Sequence, residues 1–171
     1  MRKKLIIING TMGAGKTATC TLLNKTLQNS VWLDGDWGWM INPWTVNDEN
    51  MRMVEDNLKH LLRNFLTNSW IEYVIFNWVL HDEEGFNLVF SWIEDLEYDL
   101  TKITLTCSEE ELKRRLGKDI EENKREESII NRSIDRLRMY EKLDTIKLDT
   151  SNINIQESAN EIIRIINNIQ N

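Results

Sequence analysis

Short apolar runs alternate along this chain with longer stretches of helical period, and the alternation sets the expected order of elements. Residues 5–9 are an apolar run closed by Gly10, the pattern of a strand buried on both faces. Residues 16–27 carry Cys20, Leu23 and Leu27 at helical spacing, and residues 31–33 are a second brief run stopped by Asp34-Gly35-Asp36. Over 48–67, Met51, Val54, Leu58, Leu61, Leu62 and Phe65 mark an amphipathic helix. Residues 73–80 predict the third strand, 85–96 a helix and 102–106 the fourth strand. Ser108 and Glu111 match a capping box, so a helix starts there and runs toward Leu116-Gly117. A last strand is expected over 145–148. Asn154 and Glu157 can cap a closing helix with Ile155, Ala159, Ile162, Ile166 and Ile169 on one face. Strands alternating with helices predict an α/β chain with a parallel sheet. With no repeats or linkers, residues 1–171 read as one domain.

Composition narrows the classes of partner. The 171 residues carry 21 Lys+Arg against 28 Asp+Glu, a net charge of −7, which argues against a nucleic-acid polymer or an anionic membrane as partner. Two cysteines, Cys20 and Cys107, are too few for a disulfide framework or a thiolate metal site. The basic start at residues 2–4 leads into only four apolar residues, too few for a secretory h-region, and no run is long enough to span a bilayer. A cytoplasmic protein is expected. Seven tryptophans are more than a core of this size usually holds.

Gly10-Thr11-Met12-Gly13-Ala14-Gly15-Lys16-Thr17 fits G-x-x-x-x-G-K-[ST], with a strand before it and a helix after it. In such a loop glycines let successive backbone N–H groups wrap a phosphate, and the helix adds its positive N-terminal end. Lys16 can bridge the β- and γ-phosphates and Thr17 can hold Mg²⁺. Base-reading Asn-Lys-x-Asp, as in Ras-type GTPases, is absent, and the third strand has no carboxylate until Asp82. The carboxylates for metal and acceptor are therefore expected from Asp34 and Asp36, at the carboxyl end of the second strand, where a parallel sheet opens its crevice. Asp34 is the candidate metal partner of Thr17, and both aspartates, with Lys16, are candidate catalytic residues.

On these motifs, and on an Arg-rich stretch followed by Leu148-Asp149-Thr150-Ser151, the chain resembles the small P-loop kinases related to shikimate kinase, gluconate kinase and chloramphenicol phosphotransferase. The resemblance implies a three-layer sandwich with a five-stranded parallel sheet in the order 2-3-1-4-5 and a helical lid, here about residues 114–128. It also implies ATP and Mg²⁺ as cofactors, with the nucleotide held by Arg114, Arg115 or Arg125 in the lid and by Ser151 and Asn152. The activity implied is transfer of the γ-phosphoryl group of ATP to a hydroxyl of a small molecule. A nucleoside or nucleotide kinase, or a nucleotide-binding regulatory module with little turnover, are the alternatives. The glycine-rich run that shikimate kinases carry after the third strand is replaced by Asn77-Trp78-Val79-Leu80-His81, so shikimate itself is not expected as the acceptor.

Arg125, Arg132 and Arg136 would share one face of a helix after Lys124. The acceptor pocket is expected among Trp37, Trp39, Asn42, Trp44, Asn77, Trp78 and His81. The indoles there would stack on a base or a sugar, or else cover the sheet end as core. Trp32, Trp70 and Trp92 are expected in the core. Only Arg52 and Arg63 lie between Trp37 and Leu80, a shortage that favours an uncharged acceptor.

Overall fold

The computed structural model describes residues 2–122 and 125–169. In chain order the elements are β1 (Lys3–Asn9), α1 (Lys16–Thr26), β2 (Ser30–Asp34), a short 3₁₀ turn (Gly35–Trp39), α2 (Asp48–Thr67), β3 (Tyr73–Asn77), α3 (Glu83–Ser91), β4 (Tyr98–Thr106), α4 (Glu109–Glu121), α5 (Ile129–Glu141), β5 (Ile146–Asp149) and α6 (Ile155–Ile169). All strand pairs are parallel, in the order β2-β3-β1-β4-β5. This is the α/β P-loop arrangement, with the apolar β1 at the centre.

Alternate residues of the central strands feed opposite layers, as a pleated strand requires. Leu5, Ile7, Val74 and Phe76 pack with Val54, Leu58 and Leu62 of α2, Phe86 and Val89 of α3, and Tyr140 of α5. Ile6, Ile8, Ile75 and Ile103 pack instead with Cys20 and Leu23 of α1 and with Ala159, Ile162 and Ile166 of α6. A third cluster, Cys107, Leu112, Leu116 and Ile129, joins α4 to the start of α5 and has Met12 against it. Burying residues as large as these on both faces contributes about 1.5–3 kcal/mol per side chain. Among the described residues no helix is long and apolar enough to cross a membrane.

Several local expectations are corrected. Helix α4 continues past Gly117 to Glu121, because Gly117 does not take the left-handed conformation with which a glycine ends a helix. Its capping box is half made: the Ser108 hydroxyl accepts from the Glu111 N–H, but the Glu111 carboxylate turns to Arg114 and Arg115. The box at α6 is complete, with Asn154 and Glu157 bonded reciprocally. Arg125 precedes α5 and does not share its face, and Lys124 lies outside the described residues. Trp70 is 67% exposed and is not core, whereas Trp92 is buried.

Candidate active site

The loop from Gly10 to Gly15 leaves the central strand and enters α1 through two left-handed glycines, Gly13 (φ 83°) and Gly15 (φ 96°). Gly13 has a second constraint, since a Cβ there would stand 2.9 Å from the Leu116 side chain of α4. Lys16 turns back over the loop and donates to the carbonyls of Gly10 (2.8 Å) and Thr11 (3.1 Å). Burial lowers the pKa of its ammonium to about 8, against the opposing pull of Asp36 and Asp34. Met12, Gly13, Gly15, Lys16 and Thr17 line one side of a cavity of about 440 Å³, and Arg115 and Arg125 line the other. Ala14 is buried and Thr11 donates to the Ser133 carbonyl (2.8 Å), so both support the loop from behind.

The two aspartates have different surroundings. Asp34 is buried; its Oδ2 accepts from the Thr17 hydroxyl (3.2 Å) and its Oδ1 from the Asp36 N–H (3.0 Å). That N-cap bond turns the chain sharply at Gly35, where a Cβ would fall 2.4 Å from the Trp78 ring. Asp36 is thereby presented at the junction of the phosphate cavity and a second cavity. The protein packed around it, then the charge of Asp34, raise its pKa above the usual aspartate value. The Thr17 hydroxyl and Asp34 carboxylate form an all-oxygen pair at the end of the loop. The described residues hold no cluster of three or more His, Cys, Asp or Glu. Such a sparse oxygen set fits Mg²⁺, which keeps waters and takes few carboxylates besides substrate phosphates.

The second cavity, about 540 Å³, has Trp39, Trp44 and Trp78 as aromatic walls, with Val79 and His81 beside them. Trp39 and Trp44 lie 6.4 Å apart, and Trp78 is backed by the buried Trp92 at 6.4 Å. His81 Nε2 is 3.4 Å from Asp82, while its Nδ1 is buried without a partner. Three residues expected in this pocket, Trp37, Asn42 and Asn77, do not line it. Asn77 is buried and accepts from the Trp32 indole N–H, and Trp37 leans on Trp32 at 4.8 Å on the outer side. Three lining residues were missed from the sequence: Val46, Val79 and Arg136, the last carried in by α5 from about a hundred residues beyond Asp36. Among the described residues no carboxylate forms an ion pair with this half-buried guanidinium. The shortage of arginines between Trp37 and Leu80 therefore does not describe the pocket.

The lid arginines separate in the same way. Arg114 is exposed and held by both carboxylate oxygens of Glu111 at 2.7 Å, outside the phosphate cavity. Arg115 lines the cavity and donates to the Thr150 carbonyl (2.7 Å), the Thr150 hydroxyl (3.0 Å) and Glu111 (2.8 Å). Arg125 lines it too, paired with Asp119 at 3.1 Å. Ser151 accepts from the Ser108 N–H (2.8 Å) and donates to Asp149, and Asn152 is exposed; neither lines the phosphate cavity. Cys20 and Cys107 are free, buried thiols whose pKa values are pushed up by that burial.

Known proteins share this framework. The chain superposes on the tunicamycin resistance protein of Deinococcus radiodurans with a TM-score of 0.68, at 19% identity over 96% of each chain. A gluconokinase from Sinorhizobium meliloti 1021 gives 0.66 at 15% identity, covering 99% of this chain and 98% of the other. Shikimate kinase from Aquifex aeolicus gives 0.61 at 19% identity, covering 97% and 98%. No curated protein sequence matches the chain. A family profile described as an AAA domain matches residues 6–138, which include the phosphate loop, both aspartates and Arg136. The chain belongs to that AAA-domain family and has the fold of the small P-loop kinases.

Proposed function

We propose that the protein is a kinase that transfers the γ-phosphoryl group of ATP to a hydroxyl of a small molecule. The observation that carries this reading is the position of Asp36, which alone among the described carboxylates faces both cavities. An acceptor held between the indoles would bring its hydroxyl to Asp36 from one side, and the phosphates on the Gly10–Thr17 loop would approach from the other. Asp36 would take the hydroxyl proton as the oxygen attacks phosphorus and the bond to the β-phosphate oxygen breaks. Lys16 and the loop N–H groups would stabilise the charge on the transferring group, with Arg115 and Arg125 across the cavity. Mg²⁺, held by Thr17 and Asp34, would neutralise phosphate charge. Residues 114–128 are the proposed lid, packed on the loop through Leu116 and Gly13. Placement of the two reactants would supply much of the acceleration.

Arg136, which has no ion-pair partner among the described residues, stands beside three indoles and favours an acceptor with a ring and a negative group. This also supports a second reading, a nucleotide kinase, because a base and its phosphate have that chemistry. ATP consumption measured against sugars, nucleosides, nucleotides, hydroxy acids and aminoglycoside-like alcohols tests both. Wild-type turnover with at least one acceptor is expected. Asp36→Asn should lower it by about 10²–10⁴ while a fluorescent ATP analogue binds within about twofold of wild type. Analogue binding without acceptor-dependent consumption would instead mark a regulatory nucleotide-binding module.

A further inference from the structure

A line of hydrogen bonds, buried at Asn9 and Thr104 and reaching the surface at Lys147, crosses the carboxyl ends of the strands. Asn9, the last residue of β1, is fully buried and donates from Nδ2 to the carbonyl of Leu80 (2.6 Å). Its Oδ1 accepts from the Thr104 hydroxyl of β4 (2.6 Å), and Thr104 is within 2.6 Å of the Thr145 hydroxyl. Lys147 of β5 donates to Thr145 Oγ1 at 2.7 Å. The ends of this line fix its direction, since an ammonium can only donate and a carbonyl can only accept. Thr104 has one proton, already given to Asn9, so Thr145 must donate to Thr104. Each bond thus runs the same way, from Lys147 through Thr145, Thr104 and Asn9 to Leu80. At the buried end, Asn9 and Thr104, bonds aligned in this sense polarise one another.

The two ends of Asn9 touch different parts of the site. It directly precedes Gly10 of the phosphate loop, and the carbonyl it holds lies between Val79 and His81. Val79 lines both cavities and His81 lines the one with the indoles. No backbone hydrogen bond of the sheet fixes residues 78–81, which follow the end of β3. We infer that Asn9 is a positioning residue for the acceptor wall, setting residues 79–81 against the phosphate loop through this directed line of hydrogen bonds. The consequence for transfer rests on the kinase reading; the placement of the wall does not.

Asn9→Asp is the discriminating change, because a carboxylate can still accept from Thr104 but donates nothing to Leu80. The chain has two histidines, His81 in the wall and His60 on α2, so their ring proton resonances report locally and remotely. In Asn9→Asp the His81 resonances should move while those of His60 stay. The KM for an acceptor found by the panel should rise about tenfold, with the affinity for a fluorescent ATP analogue changed less than about twofold. Unmoved His81 resonances, or a nucleotide affinity that falls as far as the acceptor KM rises, would overturn the inference and leave Asn9 as a tie between β1 and β4. Should Asn9→Asp fail to fold, Thr104→Val removes the preceding link and should give the same signature at about threefold; its absence would be equally decisive. If no acceptor in the panel turns over, the histidine resonances decide alone, so failure of the kinase reading is told apart from failure of the positioning role.

Discussion

The phosphate cavity and the acceptor cavity share Asp36 and Val79 but are assembled by opposite means. The first is founded on one stretch of chain, residues 12–18 with the left-handed Gly13 and Gly15, to which Arg115, Asp119 and Arg125 add side chains. The second is made of side chains from separate segments: Asp36, Trp39 and Trp44 after β2, Trp78 and His81 after β3, and Arg136 on α5. Backbone donors suit a ligand whose charge is spread over equivalent oxygens, so this surface can stay the same whatever the acceptor. Side chains on connections can be exchanged without moving the sheet, so on the kinase reading the second cavity is where specificity would reside.

That division can be broken by substitution. The largest effect is expected for Lys16→Ala, which removes a charge from the phosphate side and should lower transfer by about 10²–10³. Weakened binding of an ATP analogue would accompany it. Arg136→Gln should act on the other side, raising acceptor KM about 10–100-fold without changing analogue affinity. If both substitutions altered the two affinities alike, the cavities would not be separable. Gly35→Ala puts a methyl group against Trp78 and should cost about 1–3 kcal/mol in a denaturant titration, with acceptor binding hurt more than nucleotide binding. The smallest effect is on α4. Arg114 and Arg115 hold the Glu111 carboxyl at a pKa of about 2, below its unfolded value, so its contribution is present above about pH 4.5 and is lost as pH falls through about 2. Glu111→Gln should lower Tm by about 1–2 °C near pH 7, and the difference should vanish at pH 2.

What the sequence revealed follows the same division. The phosphate loop was legible because one ligand chemistry demands fixed residues at fixed spacing, and α2 was legible over 48–67 because an apolar stripe runs its length. Asp34 and Asp36 could be placed together at the sheet end, but their different surroundings depend on the Thr17 bond to Asp34. Arg136 was read only as part of a charged helical face, since helical spacing says which residues share a side and not what that side meets. Asn77 looked available at a strand end until Trp32, on the neighbouring strand, turned out to occupy its amide oxygen. Trp70 looked like core by residue type alone. Its exposure depends on the loop from Asn68, whose side chain accepts from the Trp70 N–H.

The distribution of tryptophan gives the protein an optical asymmetry. Trp39, Trp44 and Trp78 border the acceptor cavity, and no indole lines the phosphate cavity. Intrinsic fluorescence is therefore a built-in reporter of one half of the site: a compound seated among these indoles would perturb their emission directly, while a nucleotide on the phosphate loop would reach them only by moving the wall between the two cavities.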